Sequence, residues 1–152
     1  IYSIIKNDFN NPQNLEDKNL LVFENNLSFE LNAFNNQKFK KIFLISNKNK
    51  NRSIELSEKL LKFKSQLIED QKKRLEEKSI NCEIVDLSEI QNIIENSYSL
   101  YPTVGENLDY INKKNLKVKF LYRKLDQFSW QYCNKGFFNF KNFIPKIISI
   151  FN

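Results

Sequence analysis

Apolar residues are arranged along this chain in short runs that predict strands. Residues 20–23 form one such run and residues 41–46 a clearer one, and an unbroken apolar run is typical of a strand that is covered on both faces. Residues 82–87 predict a third strand. Residues 117–122 alternate basic and apolar side chains, which predicts a fourth strand at an edge or in a half-covered position.

Amphipathic stretches separate these runs and predict helices. The longest spans residues 54–78, with Ser53 as its N-cap. Its apolar residues fall into a main row (Leu56, Leu60, Phe63 and Leu67) and a flanking row (Leu61, Ile68 and Leu75). Capping-box patterns predict two further helices, one from Ser88 to about residue 96 and one from Thr103 to about residue 113.

Residues 125–133 and 137–151 predict the last two helices. Gly136 can end the first of them in a left-handed turn, and Pro145 marks a break or a helix start within the second. Strands that alternate with helices predict an α/β fold. We expect a Rossmann-like, mostly parallel sheet of four to five strands with helices on both faces.

The polar, Asn-rich residues 1–18 predict an N-terminal extension that wraps the surface of a single α/β domain, residues 19–152. Residues 27–36 fit either a helix or an irregular connection. No apolar stretch approaches the length of a membrane span. The sequence therefore predicts one globular domain with one extension.

The composition removes several classes of catalytic site. The chain has no His and only two Gly, which excludes a Ser-His-Asp triad of the usual kind and a glycine-rich phosphate loop. The two cysteines, Cys82 and Cys133, lack metal-ligand spacing, so we expect free thiols in a reducing compartment, the cytoplasm or an organelle matrix. We predict no catalytic residues and no metal site.

The basic charge has two explanations. The net charge is +6, which favours anionic partners, but Asn, Lys, Ile and Phe are all over-used, which is typical of an AT-rich genome. The basic stretch Lys72, Lys73, Arg74 and Lys78 lies near the carboxyl end of the long predicted helix. A solvated helix end accounts for it, and a phosphate or nucleic-acid contact is the alternative.

Large aromatic residues are concentrated in residues 128–143. They are Phe128, Trp130, Tyr132, Phe137, Phe138, Phe140 and Phe143. One small sheet does not readily cover so many rings, and exposed apolar patches mark partner surfaces. We predict that Phe128, Trp130, Phe137, Phe138 and Phe140 form an interface to a protein partner; a buried core or a pocket for a flat ligand are the alternatives.

The order and spacing of these segments resemble the N-terminal domain of the photolyase-related protein family, the iron–sulfur branch of the photolyases and cryptochromes. Residues 21–28 stand where the family has a strand and a polar turn, and residues 41–46, 54–78 and 82–87 match its next strand, long helix and strand. Phe120-Leu121, Phe128, Trp130, Lys135 and residues 138–143 are similar to a later aromatic and basic stretch. The resemblance covers residues 20–145.

The resemblance implies an α/β domain that packs on a flavin domain and can hold a chromophore, whose identity stays unknown. Open α/β sheets bind ligands at the carboxyl ends of their strands, which points to Asn25, Asn26, Ser46 and Asn47. Three features depart from the family. The basic, His-bearing start of the family's long helix is reduced here to Lys59, Lys62 and Lys64. Residues 24–26 replace its Gly-Asp-Gln turn, and the helical domain that holds flavin and the cluster has no counterpart, so its cysteine ligands are not carried over.

The resemblance therefore implies a domain that is non-catalytic alone. The alternative is a non-catalytic structural subunit of a large assembly, for example an organellar ribonucleoprotein. The basic charge, the polar N-terminal residues and the aromatic C-terminal residues suit that alternative.

Overall fold

The fold is described from a computed structural model, which covers residues 11–27 and 38–151. Most of the predicted connection over residues 27–36, and residues 1–10 of the predicted N-terminal extension, lie outside the described residues. The chain divides into two compact units. Residues 13–121 form the sheet unit, and residues 122–151 together with residues 11–12 form the C-terminal unit.

The sheet unit is built on five parallel strands: β1 (Asn19–Phe23), β2 (Lys41–Ser46), β3 (Cys82–Asp86), β4 (Ser97–Leu100) and β5 (Lys119–Leu121). Their order across the sheet is β3-β2-β1-β4-β5, and every neighbouring pair is parallel. The predicted α/β, Rossmann-like class is confirmed. The fourth predicted strand is confirmed as the edge strand β5, although it is shorter than the pattern indicated.

Two α-helices belong to the sheet unit, α1 (Glu58–Glu77) and α2 (Glu106–Lys113), and short 3-10 turns cover Glu24–Asn26, Asn49–Asn51 and Leu87–Asn92. The C-terminal unit contains α3 (Lys124–Trp130), α4 (Phe137–Lys141) and α5 (Ile144–Phe151). Gly136 precedes α4 with a positive φ of 80°, a conformation that glycine adopts without steric cost.

Successive residues of the central strands point to opposite faces, and both faces are buried. Leu20 and Val22 pack with Ile68 and Leu75 of α1. Leu21 and Phe23 pack on the other face with residues of α2 and the Leu87–Asn92 turn. Both faces of β1 and β2 exclude water, which explains their unbroken apolar runs.

Strand β4 was not predicted. Its residues Ser97 and Ser99 are polar in sequence but fully buried, and each hydroxyl donates to a backbone carbonyl, that of Ile93 and that of Leu100. Small hydroxyl side chains that are satisfied by the backbone can line a sheet core. The helix predicted from Ser88 to residue 96 is wrong, since only the Leu87–Asn92 turn forms there, with Asp86 as its cap.

The start of α1 is four residues later than predicted, and its N-cap is Ser57 rather than Ser53. The Ser57 hydroxyl accepts the N–H of Leu60 at 3.3 Å. Before it, the side-chain amide of Asn49 bonds both the N–H and the carbonyl of Leu56 at 2.9 Å. These bonds hold residues 49–56 in a non-helical course.

Of the two apolar rows that the sequence shows on α1, the structure buries residues of the flanking one. Ile68, Gln71 and Leu75 are its buried residues, whereas Leu60, Phe63 and Leu67 are exposed. The flanking row of the prediction therefore packs on the sheet, and the main row faces water. In α2 the predicted carboxyl end is confirmed, but the N-cap is Gly105 and not Thr103, which has a positive φ.

The last described part of the predicted N-terminal extension is not confined to the surface. Leu15 is buried in the core beside the α1 face of the sheet. Asn11 belongs to the C-terminal unit, where its amide bonds both the carbonyl and the N–H of Tyr122 at 2.7 and 3.0 Å. Leu15 thus anchors its segment in the sheet unit, and the paired amide anchors Asn11 in the C-terminal unit.

The register of α1 predicts losses of stability of very different size at two neighbouring residues. Ile68→Ala is expected to lower the free energy of unfolding by about 2–5 kcal/mol, because it opens a cavity in the core. Leu67→Ala is expected to lower it by less than about 1 kcal/mol, because the side chain is exposed. Urea unfolding of both variants checks the register, and equal or reversed losses would contradict it.

Candidate functional site at the carboxyl edge of the sheet

The strand order reverses between β1 and β4, since the chain proceeds from β1 outward to β3 on one side and from β4 to β5 on the other. Sheets of this type bind ligands outside the carboxyl ends of their strands, at the point of reversal. The residues that follow β1, β2, β3 and β4 are therefore the first place to seek a site.

Asn25 and Asn26 close the gap between the ends of β1 and β4. The Asn25 amide donates to the carbonyl of Pro102, and the Asn26 amide donates to the carbonyl of Tyr101 at 3.4 Å. Both predicted binding residues thus lie at the reversal point, where their donors tie two strand ends together.

Arg52 is the most deeply buried charge of this edge, with a side chain that is fully enclosed. Its guanidinium donates to the Glu24 carboxylate at 3.1 and 3.2 Å and to the carbonyl of Asn47 at 2.7 and 3.1 Å. It also pairs with Glu106, at the start of α2. A buried guanidinium requires such partners, because removing it from water is costly.

The Glu24 carboxylate accepts hydrogen bonds from three residues. It accepts the N–H of Asn47 at 3.1 Å, the Arg52 guanidinium, and the Lys64 ammonium at 2.7 Å. Glu24 itself is almost fully buried. One carboxylate thereby connects β1, the residue after β2, and α1.

Asp86 ends β3 and is held as a carboxylate. Burial opposes its ionisation, but the hydroxyl and N–H of Ser88, the amide of Asn51 and the nearby Lys50 ammonium outweigh burial and lower the pKa of Asp86 to about 2. All three hydrogen bonds reach the same oxygen, Oδ1. The Lys48 ammonium lies 3.9 Å from the other oxygen, Oδ2.

A cavity of about 420 Å³ opens beside these groups on the α1 side of the sheet. Among its lining residues are Ser46, Asn47 and Asp86 from the strand ends, and Leu61 and Ile68 from α1. The structure therefore brings two of the four predicted binding residues, Ser46 and Asn47, into one cavity. We call it the α1-side cavity.

A second cavity of about 460 Å³ lies on the other side of Arg52, lined by Lys50, Glu106, Tyr110, Lys113 and Lys114 among others. We call it the α2-side cavity. Its cations and carboxylates are mixed, and the three lysines are exposed. The buried Arg52 and Glu24 pair thus stands between two cavities with different linings.

The predicted phosphate-contact residues lie on the last turns of α1. Lys72 pairs with Glu76 at 3.7 Å and Arg74 with Asp70 at 3.2 Å, so these two charges have acidic partners on their own helix. Lys73 and Lys78 are exposed. The structure places all four residues on one helix end, away from the carboxyl ends of the strands.

The predicted interface residues lie in the C-terminal unit and differ in exposure. Phe128, Trp130 and Phe140 are half-buried, whereas Phe137 and Phe138 are exposed. Several rings contact one another: Tyr122 with Trp130, Phe128 with Tyr132 and with Phe151, and Tyr132 stacked on Phe143 with centroids 4.3 Å apart. The unit is a small aromatic cluster whose outermost rings face water.

Sequence reasoning missed the charged residues of the edge. Glu24 and Asp86 had a usable signal, since each is an acidic residue at the end of an apolar run. Arg52, Lys64 and Glu106 had none, because they stand in stretches that look like any solvated loop or helix surface. Their role depends on contacts between residues distant in sequence.

Both cysteines are free thiols as predicted, with Cys82 half-buried and Cys133 exposed. Burial raises the pKa of the Cys82 thiol, which makes it a weak nucleophile. In the described ranges, no group of three or more acidic or cysteine side chains is arranged to hold a metal ion. None of the helices described is long and apolar enough to cross a bilayer.

Removing the Arg52 guanidinium should destabilise the fold. Arg52→Met is expected to lower the free energy of unfolding by about 3–5 kcal/mol, because Glu24 is left as a buried, partly unpaired charge. Adding Glu24→Gln should recover part of the loss. The control Lys62→Met, at an exposed position of α1, should change stability by less than about 0.5 kcal/mol. Chemical denaturation measures all three, and an unchanged Arg52→Met variant would contradict the account.

Asp86 should make stability depend on pH. Its pKa is about 2 in the fold, below the value near 3.8 of an unfolded chain, so its contribution of about 2 kcal/mol is present above pH 4 and is lost as the pH falls towards about 2. Asp86→Asn should therefore lose less stability than the wild type between about pH 5 and about pH 2. Glu89→Gln, at an exposed position, should show the same dependence of stability on pH as the wild type. If Asp86→Asn lost as much stability as the wild type over this pH range, the assignment would be refuted.

The resemblance to the photolyase-related family stays a prediction. No family model, curated protein or solved structure matches the chain. Function is therefore inferred from the molecule itself, from the self-paired charges and cavities at the carboxyl edge of the sheet and from the exposed rings of the C-terminal unit.

Proposed function

We propose that this chain is a non-catalytic α/β interaction domain of the photolyase and cryptochrome type, which packs the aromatic side chains of its C-terminal unit on a protein partner. The observation that carries the proposal is the exposure of two adjacent rings, Phe137 at 67% and Phe138 at 85%. Covering a large apolar side chain contributes about 1.5–3 kcal/mol. A partner that buries both rings would gain that contribution twice.

Further apolar side chains of the same unit support this surface. Leu125, Ile148, Ile150 and Phe151 are also exposed, and the contact of Phe128 with Phe151 joins α3 to α5. Apolar patches of this kind mark interaction sites on soluble domains. Half-buried rings of the unit contact one another, Phe128 with Tyr132 and Tyr132 with Phe143, and a preformed surface of this kind reduces the entropy lost on binding.

The charges of the unit indicate what the partner surface carries. Residues 127–151 include no Asp or Glu, and Lys135, Lys141 and Lys146 stand among the rings. An apolar centre with an acidic rim is the complementary surface. A basic, aromatic surface also fits anionic lipid, but the rings here come from three short helices rather than from one continuous amphipathic helix, which favours a protein surface.

Two forms of partner follow from the sequence. The photolyase-related resemblance implies a helical flavin domain. The alternative is a neighbouring subunit in an organellar ribonucleoprotein, and the observation that favours it is the exposure of Lys73 on α1 and of Lys78 directly after it. The two forms differ in whether the partner carries flavin or RNA.

The test removes the two exposed rings. The double variant Phe137→Ser, Phe138→Ser is expected to fold with unchanged stability, because both side chains are exposed, and to lose a stoichiometric partner that the wild type retains on native purification. Phe63→Ser is the matched control, since Phe63 is also an exposed ring, at 54%, but lies on α1 in the sheet unit. It should retain the partner.

Three readouts separate the occupants of this surface. Flavin absorption in the partner favours the photolyase-type form, and bound RNA favours the ribonucleoprotein form. Flotation of the wild-type chain with anionic vesicles, lost in the double variant, would assign the rings to a lipid surface and overturn the proposal. Retention of the partner by the double variant would also overturn it.

A further inference from the structure

Three large apolar side chains of α1 face water in the sheet unit. Leu60, Phe63 and Leu67 are 40%, 54% and 42% exposed, although the neighbouring face of the same helix packs Ile68 and Leu75 on the sheet. Spacings of three and four residues put the three side chains on one face of α1, in a row about 10 Å long. We call these three residues the α1 row.

Lysines border the α1 row on the side away from the sheet. At about 100° per residue, Lys59, Lys62 and Lys73 lie in one sector of the helix about 60° wide, which we call the lysine flank. All three are exposed, and among the residues that the structure describes no carboxylate lies within 4.0 Å of their ammonium groups. These cations are therefore available to a partner.

The acidic residues of α1 are farther from the α1 row or are already paired. Three of them lie beyond the lysine flank: Glu58, Glu69 and Glu76. Asp70 lies beside the row but pairs with Arg74 at 3.2 Å. Glu77 is the last residue of the helix, about 15 Å along the axis from Leu67. The surface that remains is an apolar row with an unpaired positive flank.

This pattern is complementary to one kind of partner surface. A ridge of side chains at spacings of three and four residues packs into the groove of another helix. Helices that pair in this way place apolar side chains at the centre of the contact and opposite charges on its flanks. The unpaired ammonium groups of the lysine flank therefore match carboxylates on the partner helix.

A second copy of the chain and an anionic membrane both lack this match. Two copies paired antiparallel on the α1 row would place the lysine flank of one against the lysine flank of the other. A membrane surface contacts the helix along its whole length. It would repel the exposed carboxylates of α1, which are Glu58, Glu69, Asp70, Glu76 and Glu77.

We propose that the α1 row and the lysine flank dock an acidic amphipathic helix of a protein partner. Apolar side chains of that helix pack over Phe63, and its carboxylates pair with Lys59 and Lys62. This surface belongs to the sheet unit and does not depend on the exposed rings of the C-terminal unit, so either proposal can fail alone.

The probe is a synthetic Ala-based helix of about 18 residues, with Leu at spacings of three and four and Glu on both sides of the leucines. Fluorescence anisotropy measures its binding to the full chain. Two control peptides should bind at least about tenfold more weakly. One has Lys in place of each Glu and is repelled by the lysine flank. The other has the same composition with its leucines scattered round the helix, so that it lacks an apolar face.

Two variants test the two parts of the surface. Phe63→Ser should weaken binding of the acidic peptide about tenfold or more, because it removes the central ring. The double variant Lys59→Glu, Lys62→Glu should weaken it as much and should bind the Lys-containing peptide instead. The matched control Lys40→Glu, Lys117→Glu changes the net charge equally at exposed positions before β2 and β5, and it should bind the acidic peptide like the wild type.

The melting temperature of Phe63→Ser is measured beside its binding. It should stay within about 2 °C of the wild-type value, because the ring makes few contacts in the fold. A larger fall would show that another part of this chain covers the α1 row, and it would overturn the proposal.

Five other results would also overturn it. Absence of binding at about 1 mM acidic peptide would remove the site, and equal binding of the scattered peptide would assign the lysines to polyanions in general. Equal loss of binding in the matched control would show that only net charge matters. Self-association of the wild type that Phe63→Ser abolishes would assign the row to a second copy. Flotation with anionic vesicles that Phe63→Ser abolishes would assign it to lipid.

Discussion

The carboxyl edge of the sheet depends on one buried guanidinium. Arg52 joins the end of β1 through Glu24, the residue after β2 through the Asn47 carbonyl, and the start of α2 through Glu106. Its burial costs several kcal/mol, which is offset only when all of these partners are in place. The path of residues 47–56 is therefore fixed by Arg52 and by the amide of Asn49, and α1 can begin only after that path is complete.

An element could be predicted from the sequence where its cause is local, and could not where the cause is a contact with residues distant in sequence. β1 and β2 were predictable, because a strand buried on both faces has an apolar residue at every position. β4 was not, because Ser97 and Ser99 are polar residues made acceptable in the core by bonds to backbone carbonyls. In α1 both rows are apolar in sequence, and only the position of the sheet decides which row is buried.

The location of the candidate site was predictable from the sequence, but the contacts of its residues were not. The rule that ligands bind at the carboxyl ends of parallel strands points to residues 25–26 and 46–47, and the structure puts all four there. The rule does not say that the amides of Asn25 and Asn26 donate to the carbonyls of Pro102 and Tyr101. Nor does it say that the buried charge is an arginine in a loop. Those facts require partners that are distant in sequence.

The self-pairing of the edge determines what the edge can still bind. Glu24 uses both oxygens on Asn47, Arg52 and Lys64, and the Arg52 guanidinium is used on Glu24, Glu106 and a carbonyl. Its charges therefore stabilise the fold and are not available for an ionic ligand.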